Sequence, residues 1–311
     1  MDKQTLLEVH AKVKPYIHRT PVLTSRQLNE FAGAEIFFKC ENFQKGGAFK
    51  MRGGAAAILS LSDEEKQNGV VTHSSGNFAQ AVASSAKALG IKAYIVMPST
   101  APKVKVAAVK GYEGEVTICE PTIEAREAQT NKISKEFGAV QLHPSNQLSV
   151  ILGQATASME LLEEHSDLDI LAVPVGGGGL LAGTALAAHF FGENCKTIGG
   201  EPANVDDAFR SLQSGNIEGN DSTNTVADGL RTNLGDINFP IIQKHVEEII
   251  RVEEEEIVAA MRLIWERMKI LIEPSSAVPF AAILKEKSKF KGKKIGIIVS
   301  GGNVDLGNLP F

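Results

Sequence analysis

Cysteine is scarce. Cys40, Cys119 and Cys195 are the three thiols among 311 residues. They are odd in number, far apart and form no CxxC pair, which argues against a disulfide framework and against a zinc site. Free thiols in a reducing cytoplasm are expected. No apolar stretch approaches the roughly 18 residues that mark a membrane-spanning helix. The opening residues, Met1-Asp2-Lys3-Gln4-Thr5, lack a basic segment followed by an apolar one, so no secretory signal is expected. Nor is there a surplus of basic residues. The formal net charge is −5, which gives no reason to expect nucleic acid as a partner. What remains is the composition of a globular chain able to bury a full core, 43% hydrophobic and 22% charged. The length predicts about two domains.

Short apolar strands alternate with alanine-rich amphipathic stretches. Strands are expected over residues 35–40, 70–72, 93–97, 116–118, 140–142, 170–173, 196–199 and 295–299. Helices are expected over 79–89, 103–110, 123–137, 150–164, 180–191 and 253–269. This order predicts an α/β fold of right-handed βαβ units, with parallel sheets covered on both faces. The run Glu253-Glu254-Glu255-Glu256 suits a helix N-terminus and needs no functional reading. No linker rich in Pro, Gly or Ser divides the chain. Residues 69–145 nevertheless make four compact strand–helix repeats that end at the turn cluster His143-Pro144-Ser145-Asn146. The expectation is a small βαβ domain over 69–145, inserted in a larger domain made of 1–68 and 146–311.

Four stretches carry chemistry. In Gly46-Gly47-Ala48-Phe49-Lys50-Met51-Arg52, Lys50 stands between an apolar strand and an apolar helix, with little polar company. Burial lowers an amine's pKa and makes it a nucleophile or Schiff-base former. The alternative is a surface lysine whose stem covers an apolar patch. Gly176-Gly177-Gly178-Gly179-Leu180 follows a strand and opens a helix. Four glycines let several N–H groups aim at one point, and with the helix dipole they make an anion site suited to phosphate. No Lys-Ser/Thr follows, so it is not a P-loop, and it lacks the spacing of the dinucleotide fingerprint. Ser74-Ser75-Gly76-Asn77 is open between a helix cap and a cradle for a substrate carboxylate. Ser300-Gly301-Gly302-Asn303 closes the last strand, where ligands bind in open parallel sheets. A reactive lysine, a phosphate cradle and a carboxylate cradle together match pyridoxal phosphate with an amino acid as substrate.

With these motifs in this order, the sequence resembles the serine/threonine dehydratase and serine racemase family of fold-type II pyridoxal-phosphate enzymes. The resemblance runs from Thr20-Pro21-Val22 to Asn303. It implies the fold seen in tryptophan synthase β: two open twisted sheets, with a mobile small domain closing over the cofactor of a larger one. It also implies a homodimer, which the free thiols place in the cytoplasm. Lys50 matches the Schiff-base lysine, and Phe49 the neighbour packed on the cofactor ring. Asn77 matches the partner of the ring's 3′ oxygen, and Gly176 to Gly179 with Leu180 the phosphate loop. Gly229 matches a cofactor-side backbone contact, and Ser300 the partner of the pyridine nitrogen. Ser74, Ser75, Gly76 and Asn77 match the substrate cradle, and Ser75 also the acid/base that racemases use opposite Lys50. Arg126 and Thr232 match positions near the substrate's distal end. Glu201, the Val205 carbonyl and Asp207 match a site for Mg²⁺, or for Ca²⁺ or Mn²⁺. Glu273 matches a family segment near the cofactor without an assigned role. The sequence departs from the family at Gly46 and Ala48, where hydroxyl residues are common, and at Phe78, where histidine is common.

The activity implied is β-elimination of a hydroxy amino acid, serine, threonine or 3-hydroxyaspartate, to a 2-oxo acid and ammonia, with racemisation of serine as a second activity. Two alternatives stay open at this stage. One is a β-replacement enzyme of the cysteine-synthase kind. The other is a non-catalytic ligand-binding protein that keeps the fold.

Overall fold

The computed structural model describes residues 1–311. Ten strands run in chain order: β1 (Val22–Leu23), β2 (Glu35–Cys40), β3 (Val70–His73), β4 (Ala93–Pro98), β5 (Glu115–Cys119), β6 (Val140–Gln141), β7 (Ile170–Pro174), β8 (Lys196–Pro202), β9 (Glu248–Val252) and β10 (Lys294–Val299). They form a six-stranded sheet of order β1-β2-β10-β7-β8-β9 and a four-stranded sheet of order β5-β4-β3-β6. The fold is α/β. Every pairing is parallel except one: β1 runs antiparallel to β2, with Val22 opposite Lys39. β1 is not among the strands expected from the sequence. A two-residue strand carries no periodicity, and it pairs because it caps the open edge of β2.

The middle strands read as unbroken apolar runs because parallel strands are covered on both faces. In β10, Ile295 and Ile297 enter one core with Phe38, Met261 and Phe280. Ile298 enters the opposite core with Leu171, Val173 and Leu181. The four-stranded sheet has its own core, to which the helices Lys50–Leu59 and Leu148–Glu164 contribute Ala57, Ile58 and Val150.

Several further elements were not expected, and two of them are instructive. β9 is an edge strand whose Glu248 and Arg251 interrupt its apolar residues. The helix Pro274–Lys285 opens with proline and holds a second one, Pro279, yet its first ten residues are buried. Proline is tolerated in the first turn, where no N–H is needed. Its composition reads as a turn, and packing against the sheet makes it a helix.

Both sheets contain a point where strand order reverses. In the six-stranded sheet the chain runs outward from β7 to β8 to β9, then returns to place β10 between β7 and β2. In the other it runs from β3 to β4 to β5, then returns to place β6 on the far side of β3. Crevices open at the carboxyl ends of strands at such points. The four loops singled out above follow β2, β3, β7 and β10.

Candidate active site

After β2 the chain turns through Gly46 (φ 70°) and Gly47 (φ 72°), a left-handed conformation that favours glycine. Phe49 N–H then donates to the Ser300 carbonyl at 2.9 Å, and Ala48 forms a bridge with Gly301. The Lys50 loop is thereby laid against the loop that follows β10. Lys50 is the first residue of its helix. Its half-buried amine donates to the Pro144 carbonyl at 2.7 Å. Nζ lies 4.9 Å from the centre of the Phe49 ring and 5.9 Å from that of Phe78. Burial lowers the Lys50 pKa to about 8, against the opposing pull of the Glu273 charge. The reading of Lys50 as a desolvated amine is the one the geometry supports. Phe78, where histidine is common in the family, supplies part of that apolar wall.

The glycine loop joins the same crevice. The N–H groups of Gly176, Gly177, Gly178 and Gly179 donate to no carbonyl of the protein, at the start of the helix Gly179–Phe191. Gly178 has φ 76°. A Cβ on Gly177 would lie 2.4 Å from Ser145 Oγ and 3.0 Å from Thr232 Oγ1, so no larger residue fits the loop. Gln154 ties this loop to Lys50. Its Nε2 donates to the same Pro144 carbonyl at 3.2 Å. Its Oε1 is buried, without a partner, and 2.7 Å from where a Cβ on Gly179 would be. Free N–H groups, a helix N-terminus and a bare glycine surface fit a phosphate. The amine beside them fits the aldehyde of pyridoxal phosphate.

Across the crevice, Asn77 is the first residue of the helix Asn77–Leu89. Its Nδ2 lies 3.1 Å from each Glu273 carboxylate oxygen, and its Oδ1 accepts from Asn303 Nδ2 at 2.9 Å. Glu273 is buried. Burial pushes its carboxyl up to about 7, although the Asn77 bond acts the other way. Ser300 is buried as well, its hydroxyl 3.0 Å from that of Ser276. Gly229 N–H donates to Ser275 Oγ at 3.2 Å, and Gly229 and Leu230 abut Gly176.

Ser74, Ser75 and Gly76 form the half-buried loop between β3 and the Asn77 helix. Arg126 donates to Thr122 O of its own helix at 3.2 Å. After burial, its charge is the next cause that lowers the pKa of His73, which sets it near the end of β3. Thr232 is exposed beside Gly177.

Sequence reasoning missed the Pro144 carbonyl, Gln154 and His143, and named Glu273 without a role. His143 Nδ1 accepts from the N–H groups of Ser145 at 3.2 Å and Asn146 at 2.7 Å. Burial first, then the charges of His73 and Lys50, hold its pKa near 4. The imidazole is therefore neutral, with its proton on Nε2. The Pro-Ser-Asn turn signal was visible, but nothing in it pointed to Lys50.

Glu201, Val205 and Asp207 lie at the far end of β8. Glu201 is fully buried and accepts from Ala208 N–H at 3.0 Å and Phe209 N–H at 2.8 Å. Asp207 accepts from Leu234 N–H at 2.9 Å and Asn220 Nδ2 at 2.6 Å. No three His, Cys, Asp or Glu side chains converge as a metal cluster. Burial, and then the Asp207 charge, push the Glu201 carboxyl well above its usual range. Burial also lifts Asp207 to about 6.

Comparison with known proteins gives the family. A family described as pyridoxal-phosphate dependent enzyme matches residues 13–301. The serine racemase of Dictyostelium discoideum is 51% identical over 306 residues, 97% of this chain and 94% of the relative. The β-hydroxyaspartate dehydratase of Paracoccus denitrificans is 46% identical over 308 residues, 99% of this chain and 98% of the relative. The crystal structure of the Dictyostelium serine racemase superposes with a TM-score of 0.94 at 50% identity, covering 98% of this chain and 99% of that one. A match over most of the length, at this identity, is membership: the chain belongs to the family of pyridoxal-phosphate-dependent enzymes that holds the serine racemases and hydroxy-amino-acid dehydratases.

Proposed function

We propose that this enzyme removes the β-hydroxyl of a small hydroxy amino acid, giving a 2-oxo acid and ammonia, and that it also racemises serine. One observation carries the reading. The Lys50 amine, depressed to about 8, stands at one crevice with unpaired N–H groups on a glycine loop. The substrate class follows the relatives, a serine racemase and a β-hydroxyaspartate dehydratase.

Bound pyridoxal phosphate supplies a conjugated ring that delocalises negative charge developing at the substrate Cα. Gly176 to Gly179 would hold its phosphate, Phe49 would pack on its ring and Asn77 would bond the 3′ oxygen. Ser300 would face the pyridine nitrogen. A hydroxyl donates to a neutral nitrogen but does not keep it protonated as a carboxylate would. The charge at Cα is then less stabilised, and loss of the β-hydroxyl competes well with return of the proton. The N–H groups of the Ser74–Asn77 loop would hold the substrate carboxylate. The Lys50 amine would remove the Cα proton as general base. Ser75 would exchange a proton on the opposite face, as racemisation requires. Arg126 would meet a distal carboxylate such as that of 3-hydroxyaspartate, with Thr232 at the same end.

We read residues 69–145 as the mobile small domain and 1–68 with 146–311 as the large one. The bonds from Asn77 to Glu273 and from Lys105 Nζ to Asp228 at 3.0 Å are the kind of polar contact a closing cleft makes. Glu201 and Asp207, two carboxyls whose proton affinity burial raises, with the Val205 carbonyl, are a donor set suited to Mg²⁺, Ca²⁺ or Mn²⁺. A cytoplasmic homodimer is the assembly we assign, in keeping with three free cysteines.

The test is the absorption spectrum of the purified enzyme, with borohydride reduction and peptide mapping. L-serine, D-serine, L-threonine and threo-3-hydroxyaspartate are then assayed for 2-oxo acid and for the opposite enantiomer. A near-violet band lost on reduction, with the label on Lys50, and 2-oxo acid from at least one substrate are expected. Product only when sulfide is added would instead make it a β-replacement enzyme.

A further inference from the structure

The motif around Lys50 ends in Arg52, to which the chemistry above gives no role. Arg52 is fully buried, as are Lys39 and Glu41, and Glu160 is 1% exposed. On one side Arg52 grips Glu41, Nε to Oε2 at 2.8 Å and Nη2 to Oε1 at 2.8 Å. On the other it grips Glu160, Nη1 to Oε1 at 2.9 Å and Nη2 to Oε2 at 2.8 Å. Nη1 also donates to Thr156 Oγ1 at 3.2 Å. Every N–H of the guanidinium is used. Lys39 Nζ, 2.8 Å from Glu160 Oε2, balances the second negative charge. Thr20 Oγ1 donates to Glu41 at 2.6 Å, and His10 Nε2 lies 3.1 Å from Glu160.

Stability alone does not explain such a cluster. Buried ion pairs are often matched or bettered by apolar residues of the same volume, because desolvation offsets the Coulomb gain. What two opposed bidentate pairs provide is a fixed orientation. Glu41 and Arg52 flank residues 42–51, a loop with two left-handed glycines that carries Phe49 and runs into the first turn of the helix Lys50–Leu59, where Lys50 stands. Their pairing closes that loop side chain to side chain. Glu160 and Thr156 then fasten the closure to the helix Leu148–Glu164. The same helix, through Gln154, holds the Pro144 carbonyl that accepts from Lys50. One rigid element thus sets both the base of the lysine loop and the resting point of its amine.

We propose that Arg52, clamped between Glu41 and Glu160, is a positioning residue for Lys50: the buried double ion pair closes the lysine loop and fixes the amine against the Pro144 carbonyl. The proposal rests on the reading of Lys50 as the cofactor-bearing base. Its test therefore includes a measurement on cofactor-free protein, trace acylation of Lys50 followed by mass spectrometry as a function of pH. Glu41→Gln breaks one side of the clamp, and Arg52→Lys keeps the charge but cannot grip both partners. Ile264→Val, in a core remote from the loop, is the control for lost stability.

In folded variants the acylation midpoint of Lys50 is expected to rise from about 8 by about one pH unit, as the loop admits water. In holoenzyme, kcat is expected to fall about tenfold or more with KM changed less than about twofold, the mark of a misplaced reacting group. Acylation and kcat indistinguishable from the Ile264→Val control would overturn the proposal. Should neither variant fold, Thr156→Val removes a single acceptor and leaves all charges in place. A smaller shift in the same direction supports the clamp, and no shift overturns it. A wild-type protein that shows the depressed Lys50 midpoint but binds no pyridoxal phosphate would refute the functional reading and leave the clamp standing.

Discussion

Asn77 and Glu273 join the two sheets across the crevice: the Asn77 amide nitrogen lies 3.1 Å from both oxygens of the Glu273 carboxylate. Asn77 opens a helix that follows β3, and Glu273 caps the helix Pro274–Lys285 on the other sheet. The pair sits on the line where closure would be felt, and the same amide is the assigned partner of the cofactor's 3′ oxygen.

Asn77→Ala deletes that donor and leaves a buried carboxyl less well paired, a loss of about 1–3 kcal/mol. Affinity for pyridoxal phosphate is expected to fall about tenfold or more. Equilibrium titration of cofactor-free protein, followed by absorbance, measures it. Unchanged affinity would remove Asn77 from the site.

Lys50 gives a signed pH dependence. Its folded pKa is depressed by burial to about 8, below the ordinary 10.5. Between these values the unfolded chain binds more protons, so stability rises with pH across that window and is lost as pH falls through about 8. Cofactor-free wild type is therefore expected to gain stability relative to Lys50→Met between pH 8 and 10.5. Denaturant melts at a series of pH values test it, and parallel curves for the two proteins would mean an ordinary, solvated lysine.

Ser75→Ala separates the two faces of the substrate. The variant is expected to lose turnover of D-serine and interconversion of the enantiomers while keeping 2-oxo acid formation from L-serine. Chiral chromatography beside an oxo-acid assay reads both. Equal loss on the two enantiomers would make Ser75 a carboxylate ligand and helix-start residue only.

Removal of divalent cations addresses Glu201 and Asp207. With a cation supplied at about a hundred times its Kd, mass action predicts a rise in Tm on the order of 5 °C over chelated protein. Glu201→Gln and Asp207→Asn should both abolish the difference. A Tm and a turnover indifferent to chelation would leave the two carboxylates as partners of the backbone N–H groups they already accept from.

Much of this protein is legible along the chain. The alternation of apolar strands and alanine-rich helices, the glycine run after β7 and the lysine after β2 are local patterns, and local patterns survive without a structure. The Ser74–Asn77 string also reads correctly as a strand-to-helix loop, although its helix begins at Asn77 rather than Ala79.

Other features depend on residues that meet only after folding. β1 is two residues long and exists because β2 offers an edge. β9 hides among charges, and the helix Pro274–Lys285 hides behind its prolines. The carbonyl that holds Lys50 lies 94 residues away, and the carboxylate opposite Asn77 lies 196 residues away. Arg52 reads as an ordinary charge until Glu41 and Glu160 close on it from opposite sides. By itself the sequence determined the fold class and marked the lysine and the glycine run as candidates, because backbone periodicity and glycine's freedom are properties of short segments. Only the tertiary structure decided which groups face Lys50, how far its proton affinity moves and what holds its loop. Desolvation and hydrogen-bond geometry are properties of the space between segments, and distance along the chain does not encode them.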